Sequence, residues 1–325
     1  MSKMTYSDGI LQAFQYLLSN YDEVFTIGQG LWSPWYVGST MKDLEKDFGK
    51  ERVIDTPVSE QGCTGAAVGA SLCGYRPIVI HPRMDFMLLA VDQIVNQAAK
   101  WAHMLGGNGN RPSLTIRSIV NRGGEQGAQH SQAMHSWFAH IPGLRVVMPA
   151  TAKDARDLLV ASVLCDDPVI YIDDRWLYDV TDDASEVEEL ELSRIEPAIL
   201  QEGNDITFVA ASYSVRLCND AAEILEGKGI SAEVIDLRVV GPMKNDVIID
   251  SVRKTRKLVV VDGSWSTCGL SSEIIAGVAE NLDTGFKARR VTLPFAPAPT
   301  SKVLEQIYYP DTEKILKVVD ELLAK

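Results

Sequence analysis

Cysteine is scarce in this chain and forms no paired motif. Cys63, Cys73, Cys165, Cys218 and Cys268 are widely spaced, odd in number and free of any CxxC. That usage fits reduced thiols and argues against a disulfide framework or a structural zinc site. Basic runs are missing as well. With a net charge of −13 and no cluster of Lys and Arg, the chain would repel a phosphate backbone, so nucleic acid is a poor partner. No stretch approaches the roughly 18 consecutive apolar residues of a membrane span. The first residues, MSKMTYSDGILQAFQYLLSNYDE, place apolar side chains at helical spacing among acids, which is not the pattern of a signal peptide. The expectation is a soluble, cytoplasmic protein with no membrane contact.

The familiar catalytic signatures are absent too. There is no GxGxxG between a strand and a helix, no GxxxxGK[ST], no GxSxG and no HExxH. Dinucleotide binding, P-loop hydrolysis and serine hydrolysis all lose ground. The glycines of RGGEQGAQHS, residues 122–131, follow an apolar run but lack the Lys or the spacing of a phosphate cradle. His130, His135 and His140 stand five apart, whereas helical ligands sharing one metal need a spacing of three or four. His130, at the end of the glycine loop among Gln129, Ser131 and Gln132, has the most reactive setting of the three.

What is present is an α/β pattern. At 325 residues and 46% hydrophobic, the chain can bury a large core, and its length favours two domains. Short runs rich in Val and Ile at 24–27, 77–81, 114–120, 144–148 and 168–172 read as strands covered on both faces. Met87, Leu88, Val91, Ile94, Val95, Ala98 and Ala102 recur at helical spacing, and Thr151 to Asp154 reads as the cap of a helix reaching Leu164. Residues 179–202 are acid-rich without a period, as a linker or a solvated hairpin edge would be. Expected boundaries are therefore 1–180 for the first domain, 181–203 for the linker and 204–325 for a smaller α/β domain. In the second unit, strands are expected at 206–215, 232–240 and 257–263, and a closing helix at 311–323. The segment PFAPAPTS, 294–301, reads as an extended connector.

One carboxylate stands apart. In DTPVSEQGCTG, residues 55–65, Glu60 opens a helix built of small residues, with Gly65 and Gly69 four apart. It has a structural reading, with Ser59 as the cap and Glu60 balancing the positive helix end by roughly 0.3–1 kcal/mol. It has a functional reading too: a carboxylate against a dry, close-approach face would have a raised pKa and could share a proton near neutrality.

Taken together, the GILQAF helix, KERVIDTPVSEQGCTGAAVGA, DFMLLAVDQIVNQAAKW, GAQHSQ, PGLRVVMPAT, DDPVIYID, IDLRVVGP, KLVVVDGSW and PAPTS resemble the beta subunit of the E1 component of 2-oxo acid dehydrogenases. This family is related to the pyrimidine-binding and C-terminal domains of transketolase. The resemblance implies the fold of the thiamine diphosphate-binding pyrimidine domain followed by a smaller α/β transketolase C-terminal-type domain. It implies thiamine diphosphate as cofactor and an α2β2 heterotetramer with a beta-beta contact. It also implies decarboxylation of a 2-oxo acid, with acyl transfer to the lipoyl group of an E2 protein.

By position, Glu60 matches the glutamate bonded to N1′ of the aminopyrimidine, where it favours the imino tautomer that deprotonates the thiazolium. Phe86 matches the aromatic stacked on the pyrimidine, although on its own it also reads as an ordinary core aromatic. His130 matches the histidine at the active-site entrance, and Leu89 stands where many members place a cofactor-side Gln. The family's GDG motif for the divalent metal is missing, which implies that Mg2+ is held by the alpha partner and that the chain alone is silent. A structural potassium ion is a further implication, weakened because Cys165 replaces the Asp that often helps to bind it. Gly28, Gln29 and Gly30 before LWSPWY, with His81, Arg83 and Asp85, depart from the pattern and point to a different carbon skeleton. The alternatives are the C-terminal half of a split transketolase-like enzyme and a non-catalytic assembly subunit.

Overall fold

The computed structural model describes residues 3–107 and 111–324. Fourteen strands run in chain order: β1 (Lys3–Thr5), β2 (Val24–Gly28), β3 (Val53–Asp55), β4 (Arg76–His81), β5 (Thr115–Val120), β6 (Arg145–Val147), β7 (Val169–Asp174), β8 (Thr181–Asp183), β9 (Ala198–Gln201), β10 (Ile206–Ala210), β11 (Ala232–Asp236), β12 (Val239–Gly241), β13 (Lys257–Trp265) and β14 (Lys287–Leu293). β1 and β8 pair as a two-stranded sheet; the other twelve form a seven-stranded sheet in the order β12-β6-β7-β5-β4-β2-β3 and a five-stranded sheet in the order β14-β13-β10-β11-β9. Each of the two larger sheets is parallel except for one antiparallel strand at an edge, β12 in the seven-stranded sheet and β9 in the five-stranded one. None of the described helices is long and apolar enough to cross a membrane.

Alternation along the strands explains the layering. In β4, Val79 faces one core while Ile78 and Ile80 face the other, and β7 divides Ile170 and Ile172 from Val169 and Tyr171 in the same way. Strands buried on both faces must read as continuous apolar runs, and these do. The helix Tyr6–Asn20 starts at a capping box, in which Asp8 N–H donates to Thr5 Oγ1 at 3.0 Å and Thr5 N–H to Asp8 Oδ2 at 3.2 Å. It packs on the helix Ala152–Leu164, capped by Thr151 as its sequence predicts. Gly9 allows the approach, since a Cβ there would lie 2.5 Å from the Ala152 carbonyl oxygen.

The two sheets share hydrophobic core. Val209, Ile235, Leu237 and Val260 of the second unit join Ile116, Phe138 and Val146 of the first. The opposite face of the smaller sheet is covered by the helices Tyr213–Glu226 and Thr312–Leu323. Two expectations need correction. The apolar run 232–240 is not one strand: Arg238 takes φ 60, and the chain leaves β11 to form β12 on the edge of the larger sheet. The run 206–215 stops at Ala210, and a helix begins at Tyr213. The acid-rich stretch 179–202 also contains β8, paired with β1, and β9, paired with β11.

Between β5 and β7 lies a buried ion pair. Arg117 donates to both Asp173 oxygens, at 3.0 and 2.8 Å, and to Thr40 Oγ1 at 2.8 Å, while Tyr178 OH donates to Asp173 Oδ2 at 2.6 Å. Both charges are fully buried. Removing one partner strands the other in a medium that cannot hydrate it. Asp173→Asn should therefore cost about 3–5 kcal/mol. Asp166→Asn, whose carboxylate is 70% exposed beside Arg76, should cost under about 1 kcal/mol. Urea unfolding of the two variants measures the contrast.

Candidate active site

The carboxyl ends of the parallel strands converge on one rim, the usual ligand position in such sheets. Gly28 ends β2 against β4, where a Cβ would lie 2.5 Å from the Ile80 carbonyl oxygen. Beyond it, Gly30 N–H donates to Asp55 Oδ1 at 2.6 Å and Thr56 N–H to the Gly28 carbonyl at 2.9 Å. These bonds tie the ends of β2 and β3 together where the helix Glu60–Leu72 begins.

Glu60 is half-buried at that helix start, in a narrow cleft with Gln29, Thr56, Cys63, His81 and Pro82. Ser59 is the capping residue by position, but its side chain makes no capping hydrogen bond. Among the described residues, no donor or cation engages the Glu60 carboxylate. The face it heads is not dry within this chain: Gln61, Gly62, Ala66 and Gly69 are exposed, and a Cβ at Gly69 would meet nothing within 4 Å.

His81, at the end of β4, is buried, and its Nε2 lies 3.3 Å from Thr64 Oγ1 of the Glu60 helix. Burial pushes its pKa down to about 4, because an imidazolium cannot be hydrated there. It is therefore a neutral spacer between strand and helix at physiological pH.

Phe86 and His130 are brought together. Phe86 follows β4 on the single turn Met84–Met87, His130 ends the loop after β5, and their rings meet edge to face at 5.2 Å. Phe86 is 39% exposed and Leu89 63%. Leu89 sits on a 3-10 turn, Leu88–Ala90, and points into the open rather than the core. The helix expected through 87–102 is interrupted: a π-helical segment, Gln93–Ala98, separates that turn from the helix Ala99–Met104. Such wide turns are frequent beside functional sites.

The second unit holds the His130 loop, which nothing in the local sequence announces. Asp262 of β13 accepts from His135 Nε2 at 3.0 Å, and Ser264 donates to the Ala133 carbonyl at 2.7 Å. Glu305 takes the Glu125 N–H at 3.1 and 3.0 Å. At the loop's root Arg122 forms a buried ion pair with Asp174. The segment 294–301 is outside helix and strand, as expected, but bends at its start, where Ala296 N–H donates to the Pro294 carbonyl at 2.7 Å; the Ala296 carbonyl accepts from Trp265 Nε1 at 3.0 Å and Tyr308 OH at 2.7 Å. His140, by contrast, lines a separate cavity of about 540 Å³ with Cys268 and Glu273, which none of Glu60, Phe86 and His130 touches. Among the described residues no group of three His, Cys, Asp or Glu side chains could hold a metal ion.

Residues 2–180 match the transketolase pyrimidine-binding domain, and residues 196–315 match the transketolase C-terminal domain. The mitochondrial pyruvate dehydrogenase E1 subunit beta of Saccharomyces cerevisiae is 38% identical over 99% of this chain and 89% of its own length. The chain belongs to the transketolase-type E1 beta-subunit family. Relatives of this E1 beta-type chain include the beta subunit of an acetoin:2,6-dichlorophenolindophenol oxidoreductase from Bacillus subtilis, 38% identical over 87% of this chain and 83% of the relative. Another is the pyruvate dehydrogenase E1 subunit beta of Rickettsia felis, 34% identical over 98% of both chains. A solved split-gene transketolase, described as an inactive beta4 tetramer, superposes with a TM-score of 0.80 over 99% of this chain and 98% of its own; at 21% identity it shares the fold.

The neutral His81 of this E1 beta-type chain has a pH signature. Its folded pKa lies below the unfolded value of about 6.5, so its contribution to stability is complete above that pH and is lost as pH falls toward about 4. Between pH 7 and 4.5 this amounts to about 2–3 kcal/mol. His81→Gln should remove that part of the acid destabilisation, read as the difference between urea unfolding free energies at the two pH values.

Proposed function

We propose that this chain is the beta half of a thiamine diphosphate-dependent E1-type enzyme acting on a 2-oxo acid. The observation that carries the reading is the Glu60 carboxylate, which no described residue engages, on the same carboxyl-end rim from which the turn and loop carrying the Phe86–His130 ring pair extend. A cationic or hydrogen-bonding side chain on Glu60 would have argued against a cofactor partner there, and none of the described residues supplies one. Glu60 would hold the aminopyrimidine at N1′ and carry one proton on its carboxylate. Phe86, with an exposed face, would pack on the flat ring, adding about 0.5–1.5 kcal/mol beyond burial. Leu89 would line the same approach without supplying an amide. When bound, thiamine diphosphate supplies the nucleophilic carbon and the electron sink for decarboxylation. His130, held edge-on by Phe86 and from behind by the second unit, would present its ring to the reacting groups and exclude water.

The diphosphate and Mg2+ belong, in this reading, to an alpha partner, since the GDG motif expected to hold the metal is missing from this sequence. Exposed Gly62, Ala66 and Gly69 on the Glu60 helix leave room for a second backbone to approach and dry the site. An α2β2 assembly in the cytoplasm, with a beta-beta contact and acyl transfer to a lipoyl-bearing E2, follows from the same reading. At the Cys165 turn, Arg76 already donates to the carbonyls of Val163 and Cys165 at 3.1 and 3.0 Å. A potassium ion there would have to share both oxygens with a guanidinium. A split transketolase remains a weaker alternative, because the support for it is likeness of fold.

The decisive variant is Glu60→Gln in the complex with the alpha partner. Its rate of 2-oxo acid decarboxylation should fall by about 10²–10⁴, the range for a positioned proton-transfer group, while assembly and circular dichroism stay as in the parent. A parental rate would sink the proton relay.

A further inference from the structure

Among the described residues, two arginines on the rim form no ion pair with a carboxylate, which is unexpected in a chain of net charge −13. Arg83 lies two residues beyond β4 and Arg175 one residue beyond β7, with β5 hydrogen-bonded between those strands. Both are half-buried. Neither forms an ion pair among the described residues.

Arg83 reaches only neutral oxygens. It donates to the Pro82 carbonyl at 3.1 Å and to Gln126 Oε1 at 3.4 Å, and with the Asn121 amide turned over its Nε and Nη2 both find that oxygen at 3.2 Å. Asp85, on the same turn, uses Oδ1 to accept from Gln132 N–H at 3.2 Å and Nε2 at 2.8 Å; its carboxylate attracts the Arg83 guanidinium electrostatically but forms no ion pair with it. Arg175 rests over the Tyr178 ring, with its guanidinium carbon 5.7 Å from the centroid. Burial holds the Arg83 guanidinium below its ordinary pKa, and the like charge of Arg175 adds to that effect. A partly desolvated like-charged pair raises the energy of the empty site, and an anion between them would relieve it.

The position ties this charge to the proposed reaction. Phe86 N–H donates to the Arg83 carbonyl at 3.2 Å, so both sit on one turn, and Gln126 belongs to the loop that ends in His130. Arg83 therefore spans the two elements that carry the Phe86–His130 ring pair. A substrate reacting beside those rings would have Arg83 within the same pair of elements.

Resting on the E1 reading above, the geometry points to Arg83 and Arg175 as specificity residues that select a 2-oxo acid with a second anionic group, carboxylate or phosphate, at the far end of its chain. Guanidinium forks suit both anions through paired N–H donors.

The complex with the alpha partner is assayed with 2-oxobutyrate, 2-oxoglutarate and 3-phosphohydroxypyruvate as decarboxylation substrates. One or both of the acids with a second anionic group should exceed 2-oxobutyrate in kcat/KM, and which of them does so separates carboxylate from phosphate. Arg83→Gln should reduce that preference by about 10–100-fold, the range for a hydrogen-bonded charge, mostly through KM, with partial recovery in Arg83→Lys. Arg175→Gln should act in the same direction. A parent complex that prefers 2-oxobutyrate, or a preference unaltered in both Gln variants, overturns the assignment. Turnover of none of the three acids overturns the E1 reading itself, and the assignment with it.

Discussion

The site depends on the parallel pairing of β4 with β5, in which His81 stands opposite Ser118. β4 launches the turn that carries Arg83 and Phe86, and β5 launches the loop that carries Asn121, Gln126 and His130. A slip of one residue would turn every side chain of β4 to the other face, sending His81 into the opposite core and carrying Phe86 away from His130. The register is secured because Val79 and Ile80 must face different cores. Packing on both faces of the sheet thus sets a 5.2 Å contact at its rim.

Charge is distributed with the same economy. The buried arginines Arg117, Arg122 and Arg156 each meet an aspartate, as burial requires when the alternative is an unpaired ion. Arg83 and Arg175 lie less deep and, among the described residues, form no ion pair. The contrast separates charges that hold the fold from charges left available for a ligand. His81 follows a third course and stays neutral, so it adds no cation to the cleft that holds Glu60.

Much of this was legible in the sequence, for identifiable reasons. β2, β4, β5, β6 and β7 are doubly covered, and their apolar runs reported that burial directly. The break at Arg238 was hidden because Val and Leu continue on both sides of it, and what turns the chain is a positive φ held by tertiary bonds from Arg238 to Asp154 at 3.0 and 2.7 Å. The π-helical segment at Gln93–Ala98 was equally hidden, since apolar spacing near 3.6 cannot distinguish a regular helix from one with a wide turn. Around the site, Glu60, Phe86, Leu89 and His130 could be nominated from motif resemblance because each lies inside a contiguous motif, VSEQG, DFMLL or GAQHSQ. Their supports could not: Asp262 is 127 residues from His135 and Glu305 is 180 from Glu125, distances over which a local pattern carries no signal.

The same long-range supports explain why the second unit accompanies the first. The loop of residues 121–135 contains glycines at positive φ, Gly123, Gly124 and Gly127, and a free loop of that composition would populate many conformations. Gly127 packs near Thr300 of the connector, Glu125 is fixed by Glu305, and His135 is fixed by Asp262. Each contact comes from a different element of the smaller sheet and its connections. Ordering is therefore supplied from behind, by parts of the molecule that do not face the rim. The front of the loop stays open, so His130 can be held in place while its ring remains accessible. A rim that is rigid from behind and open in front suits a site that a second chain completes.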